Sequence, residues 1–216
     1  MDWQITGWVI IIVVMALGFL LIRLHEKRRT RSLAQVATEL GVQFANRLEP
    51  DDAHTFNQFS LGRTGHSRKS HNVIVADSGR LRIVLFDHKF SSGGGKNSST
   101  YHQSVVMVRA HDRMLPKFTL APETWLHRFG ELVGMSDIDF DEDPEFSSAF
   151  SLRAPDEDAV RAFFTAQRRR AWLKWPDVHV EADGDTFLFY RRGRRTKPEK
   201  IKQLMEEAWE LYQVLN

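Results

Sequence analysis

The sequence predicts an α+β protein: one N-terminal transmembrane helix followed by a cytosolic domain of antiparallel sheet with helices packed on one side. Three observations carry this reading. Residues 3–22 are 20 consecutive positions without a charged side chain. Residues 71–110 hold three apolar segments separated by turn signals, the pattern of a meander. Ile201, Leu204, Met205, Ala208, Trp209, Tyr212 and Leu215 recur at helical spacing and form one apolar face. The expected organisation is a short extracytoplasmic tip at 1–4, a span at 5–24, a basic juxtamembrane helix at 25–41 and a cytosolic domain at 42–216.

The span is argued from length and flanks. Twenty residues at about 1.5 Å each make roughly 30 Å of helix, one hydrocarbon thickness. Trp3 and Trp8 lie at one end, where indoles favour the interface. Arg23, Lys27, Arg28, Arg29 and Arg31 follow, opposed by Glu26 alone. The positive-inside rule then predicts an inner-membrane, single-pass protein with its N-terminus outside and its domain in the cytoplasm. The same cations are candidates for contact with anionic headgroups. A cleaved signal peptide would carry its basic residues before the apolar run, and this chain carries them after it. Leu33, Val36, Ala37 and Leu40 share one helical face, so the helix is expected to run on and dock its last turns, with Gly41 at the C′ position.

Strand and helix then alternate. Residues 42–44 read as a strand, and Asp51 or Asp52 as the cap of a brief helix toward Phe59. Strands are expected at 71–76, 81–90 and 101–110, the first closed by Asp77-Ser78-Gly79, with an edge strand at 118–120. Pro122 and Glu123 open a helix with Trp125, Leu126, Phe129, Leu132 and Val133 on its apolar face. Residues 146–153 read as a strand. One helix follows, with an acidic first turn at Asp156, Glu157 and Asp158 and a basic last turn at 168–170. Asp183-Gly184 marks a hairpin between 178–182 and 186–190, and Thr196 with Glu199 a capping box before the last helix.

Composition limits the chemistry. The 216 residues contain no Cys, which excludes disulfides, thiolate metal sites, iron–sulfur clusters and a Cys nucleophile. The net charge of +2 is unevenly spread. Residues 23–31 carry a surplus of four positive charges and Asp2 one negative charge, so residues 32–216 sum to −1. That balance gives no broad field for a polyanion. Arg168, Arg169 and Arg170 beside Trp172, Lys174 and Trp175, and the run from Arg191 to Lys197, are basic clusters of the kind that bind nucleic acid, which is not expected here.

Loop 91–100 is rich in Gly and Ser but is no phosphate loop, since Asn97 follows Lys96 and strands flank it on both sides. The acidic stretch 137–145 is no calcium loop, having Glu142 where the turn needs Gly and Ser148 where it needs Glu. Nine His residues show no zinc-binding spacing on a helix, though His88 and His102 flank loop 91–100. Asp87 beside His88 is a conceivable acid–base pair, lacking any nucleophile context. Asp87, His88, Lys96 and His102 are therefore the candidate surface site.

The order of FDHKF, the Gly-Ser loop, YHQSVVMVR, LPKFTLAPE and DIDFDEDPEFSSAFSL resembles an uncharacterised family of bacterial hypothetical proteins, a domain of unknown function attached to membrane helices. The clearest pieces are Phe86-Asp87, Leu115-Pro116, 137–140 and Pro144-Glu145-Phe146. The resemblance spans roughly residues 33–215. It implies a cytosolic domain on a membrane anchor and no catalytic residues.

The functional expectation is a non-catalytic domain displayed at a membrane for contact with a protein or the membrane surface. No cofactor is expected. The partners are the lipid bilayer and a protein the sequence does not name, and the oligomeric state is not legible. The alternative is a membrane-tethered hydrolase-like enzyme with a cleft lined by Asp87, His88 and loop 91–100.

Overall fold

The computed structural model describes residues 2–95, 98–124 and 137–215, with side chains for all of these except 2–7 and 9. One long helix, α1 (Asp2–Glu39), leads into β1 (Gln43–Ala45). Two short helices follow, α2 (Pro50–Phe56) and α3 (Ser60–Arg63). Then come four strands: β2 (His66–Asp77), β3 (Leu81–Ser92), β4 (Ser99–Ala110) and β5 (Leu115–Pro122). The second half is α4 (Pro144–Ala149), β6 (Phe150–Arg153), α5 (Glu157–Phe163), α6 (Ala166–Trp172), β7 (His179–Gly184), β8 (Thr186–Tyr190) and α7 (Ile201–Val214).

The strands form one eight-stranded sheet in the order β1-β2-β3-β4-β8-β7-β5-β6, with every pairing antiparallel. β1 to β4 are a meander, but β8 then pairs with β4, so the second half folds back onto the first. β5 lies between β7 and β6 and is not the edge strand expected at 118–120.

Strand alternation splits the core in two. Ile74, Leu85, Val106, Val108, Phe187 and Phe189 face α1 and α7. Val73, Val75, Val84, Phe86, Val105, Met107, Leu188 and Tyr190 face α2 and α3, where Phe56, Phe59 and Leu61 cover them. Helices on one side were expected, but both faces of this sheet are apolar, and each needs its own cover.

α1 is unbroken and ends as its sequence requires. Leu33 and Ala37 are fully buried. Gly41 takes φ 68, its amide reaches the Thr38 carbonyl at 3.1 Å, and the Val42 amide reaches Ala37 at 3.0 Å, a Schellman closure.

The first half of the helix corrects the largest expectation. Among the described residues no helix is long and apolar enough to cross a membrane. The apolar positions 10–22 belong to the same helix whose later turns dock on the sheet. The transmembrane helix, the single-pass placement and the inner-membrane localisation with a cytoplasmic domain are not met. The run is nonetheless solvent-facing, with Ile12 at 59%, Leu21 at 65% and Ile22 at 65% exposure.

Smaller expectations shift too. Pro50 opens α2 behind Glu49 as N-cap, and buried Asp52 instead receives Arg82 at 2.8 Å. Pro144 at its first position makes 144–149 a helix, so the strand expected over 146–153 begins only at Phe150. The helix expected after Pro155 is two helices, because the Thr165 hydroxyl restarts the chain by accepting the Arg168 amide. Thr196 caps nothing; a 3₁₀ turn, Pro198–Lys200, precedes α7 behind Lys197. Of the helix expected from Pro122 to Gly134, Pro122 ends β5 instead, and 125–134 lie outside the described residues.

Candidate functional site

Each candidate residue has a definite place. Asp87 lies on β3, 1% exposed, on the face that meets α1. Its carboxylate accepts Arg29 Nε and Nη2 at 2.7 Å each. It also accepts Asn72 Nδ2 at 3.0 Å and Ser104 Oγ at 3.1 Å. Arg29, expected among the headgroup cations, is thus 9% exposed and turned into the domain. A bidentate guanidinium–carboxylate pair of this kind is strong and directional.

The backbone that builds this joint is irregular. His71 pairs with Asp87, and Ile74 with Leu85, so β2 carries one extra residue against β3. Asn72 absorbs it with φ 54, a left-handed conformation that Asn tolerates better than most residues. The bulge delivers the Asn72 amide to Asp87, while Thr30 Oγ1 of α1 meets Asn72 Oδ1 at 2.8 Å. On β4, Ser104 Oγ accepts the Thr196 amide at 3.0 Å, which ties in the segment before α7.

One turn back on α1, Glu26 accepts Arg195 Nη1 at 2.9 Å and Nη2 at 2.8 Å. The Arg195 hydrogen bonds hold the Glu26 carboxyl down at about 2. Burial pushes His71 and His102 below the ordinary imidazole value. Together these groups clamp α1 to β2, β3, β4 and the 191–197 segment.

His88 belongs elsewhere. It follows Asp87 in a strand and so points to the opposite face. Its ring stacks on Phe90 at 5.9 Å and meets Phe56 edge-on at 4.9 Å. Ser70 Oγ lies 3.0 Å from Nδ1, and burial lowers its pKa to about 4. No acid–base pair exists between Asp87 and His88. His102 pairs in register with Lys89 and faces the α1 side, so it does not meet His88. Lys96 lies outside the described residues, as does the Trp3 side chain. Trp8, Arg23, Lys27, Arg28 and Arg31 are exposed on α1.

The remaining motifs have internal partners. Arg169 is 5% exposed and pairs with Asp143 at 2.9 Å and Glu142 at 3.2 Å, while Trp172 and Trp175 are core. Arg191 and Arg194 both reach Asp177 at 2.9 Å. In the acidic stretch, Asp137 accepts the Leu152 amide and Asp143 caps α4. No group of three His, Asp or Glu residues with metal-holding geometry occurs among the described residues.

Asn72, Ser104 and Glu181 were not singled out from sequence, and Glu26 and Arg195 were read only as part of the charge balance and of a basic cluster, not as partners. A signal for Arg29 existed, since Arg29, Leu33 and Ala37 fall at i, i+4 and i+8 on the docked stripe. Glu181, fully buried on β7, accepts the Ser60 and Leu61 amides at 2.6 and 3.1 Å and the Tyr190 hydroxyl at 3.2 Å. It anchors α3 on the far face.

Beside the clamp is an open cavity of about 650 Å³, lined by Leu21, Ile22, Leu24, His25, Glu26, Arg28, His102 and Arg195. A cleft of about 380 Å³ lies between the 191–197 segment and α7.

No protein-family profile matches the chain, and no curated protein matches it either. Among solved structures, the chain is similar to the crystal structure of the mycobacterial trehalose monomycolate transport factor A, TtfA. The match has a TM-score of 0.61 and 9% identity, and covers 87% of this chain and 94% of that one. At that identity the likeness concerns the fold alone.

Proposed function

We propose that this protein is a non-catalytic, lipid-associating module. The exposed apolar half of α1 contacts a lipid surface, and the sheet domain is displayed on it. The observation that carries the reading is the solvent-facing run at 10–22, exposed at every position but Gly18. Monomeric proteins rarely leave so large a contiguous apolar surface open. An anionic lipid surface is the occupant its surroundings favour, because exposed Arg23, Lys27, Arg28 and Arg31 follow the run directly. Each cation near such a surface contributes about 1 kcal/mol of attraction. The fold likeness to a transport factor for trehalose monomycolate, itself a lipid, supports the same reading.

Vesicle flotation tests it. The full chain, added from detergent, is expected to float with phosphatidylcholine vesicles and more completely when phosphatidylglycerol is included. A chain lacking residues 1–21 is expected to stay at the bottom. Full-length protein left at the bottom with both vesicle types would overturn the proposal.

A further inference from the structure

The cavity at the base of the arm has two chemically distinct walls. Leu21, Ile22 and Leu24 form one, and they continue the exposed apolar surface of α1. Arg28, His102, Arg195 and Glu26 form the other, at the level of the clamp. The charges on the polar wall do not cancel. Glu26 is already held by both terminal nitrogens of Arg195. Arg28 lines the cavity, is exposed, and makes no ion pair with any described residue. The wall therefore presents one uncompensated cation beside an imidazole and a fixed guanidinium.

Resting on the lipid reading above, we propose that this cavity binds one molecule of an anionic phospholipid. Its phosphate sits between Arg28 and His102, against the edge of Arg195, and its acyl chains run along Leu21, Ile22 and Leu24. The volume lies within the roughly 300–1,000 Å³ typical of ligand sites. A guanidinium is the usual partner for phosphate oxygens. Arg195 is preorganised by Glu26, so ordering it on binding carries little further entropic cost. Burial holds His102 below the ordinary imidazole value, and its ring carries an N–H that can donate to a phosphate oxygen. The arm as a whole adsorbs to any lipid, whereas this site selects one headgroup charge and holds one molecule.

The test separates the two claims by working without vesicles. Full-length protein in a neutral detergent, doped with phosphatidylglycerol, is examined by native mass spectrometry. The expected result is a single retained phosphatidylglycerol, with phosphatidylcholine retained at least tenfold less. Arg28→Gln is expected to abolish the retained lipid. Lys202→Gln, which removes the same charge at an exposed α7 position that does not line the cavity, is expected to keep it. Equal retention by Arg28→Gln and the unaltered protein overturns the site, as does equal retention of the two lipids or loss in both variants. If the lipid is retained but flotation fails, the site stands and the arm proposal falls.

Discussion

Asp87 accepts four hydrogen bonds and sits at 1% exposure, so its charge is fully committed to Arg29, Asn72 and Ser104. Removing one member of a buried pair strands the other, at a cost of about 3–5 kcal/mol. Asp87→Ala is expected to lose that much stability in a urea titration, and Arg29→Ala a comparable amount. Arg29→Met with Asp87→Leu together is expected to recover most of the loss. A double variant no more stable than the singles would show that the hydrogen-bonded network, rather than the unpaired charge, sets the cost. His88 makes a pH prediction. Its folded pKa, about 4, is depressed below the ordinary 6.5 by burial. A depressed value means that the stability it contributes is present above pH 6.5 and is lost as pH falls through 4. Melting temperature is expected to fall across that window, and to fall less in His88→Leu. The sequence already held half of this site. Alternation along Leu85-Phe86-Asp87-His88 places Asp87 and His88 on opposite faces, which argues against a shared cleft. The bulge at Asn72 was illegible, because a left-handed Asn leaves no periodic trace.

α1 shows which elements a periodic pattern can and cannot reveal. Its docked turns were legible from Leu33, Val36, Ala37 and Leu40, since burial there is apolar and regular. The contribution of Arg29 was hidden in a run of five cations whose other members face solvent. The antiparallel strands and α7 were legible for the same reason as the docked turns. The boundaries of α4, α5 and α6 were not, because single residues set them: Pro144 starts one helix, and Thr165 ends the possibility of a longer one. α2 and α3 depend on close backbone approach. A Cβ at Gly62 would lie 2.2 Å from the Phe56 carbonyl oxygen. Gly62→Ala must therefore move backbone, and a loss of about 1–3 kcal/mol is expected in a denaturant titration. An unchanged midpoint would mean that α3 shifts freely over Glu181 and Tyr190.

The assembled protein is a sheet covered on both faces, with the arm leaving one side. The apolar residues of 10–22 are absent from both core clusters. Removing residues 1–21 is thus expected to leave the melting temperature of the domain within about 1–2 °C, whereas removal through residue 40 takes Arg29, Leu33 and Ala37 and is expected to prevent cooperative unfolding. Circular dichroism against temperature distinguishes the two.

The continuity of α1 has a mechanical consequence. The helix contains no proline, and its two glycines, Gly7 and Gly18, both lie within its unbroken course. Two bidentate clamps, Glu26–Arg195 and Arg29–Asp87, grip it within one turn. With no hinge between arm and grip, the arm acts as a lever. A tilt or rotation imposed on its outer end is delivered as torque to β3, β4 and the 191–197 segment, so the sheet takes its orientation from whatever holds the arm.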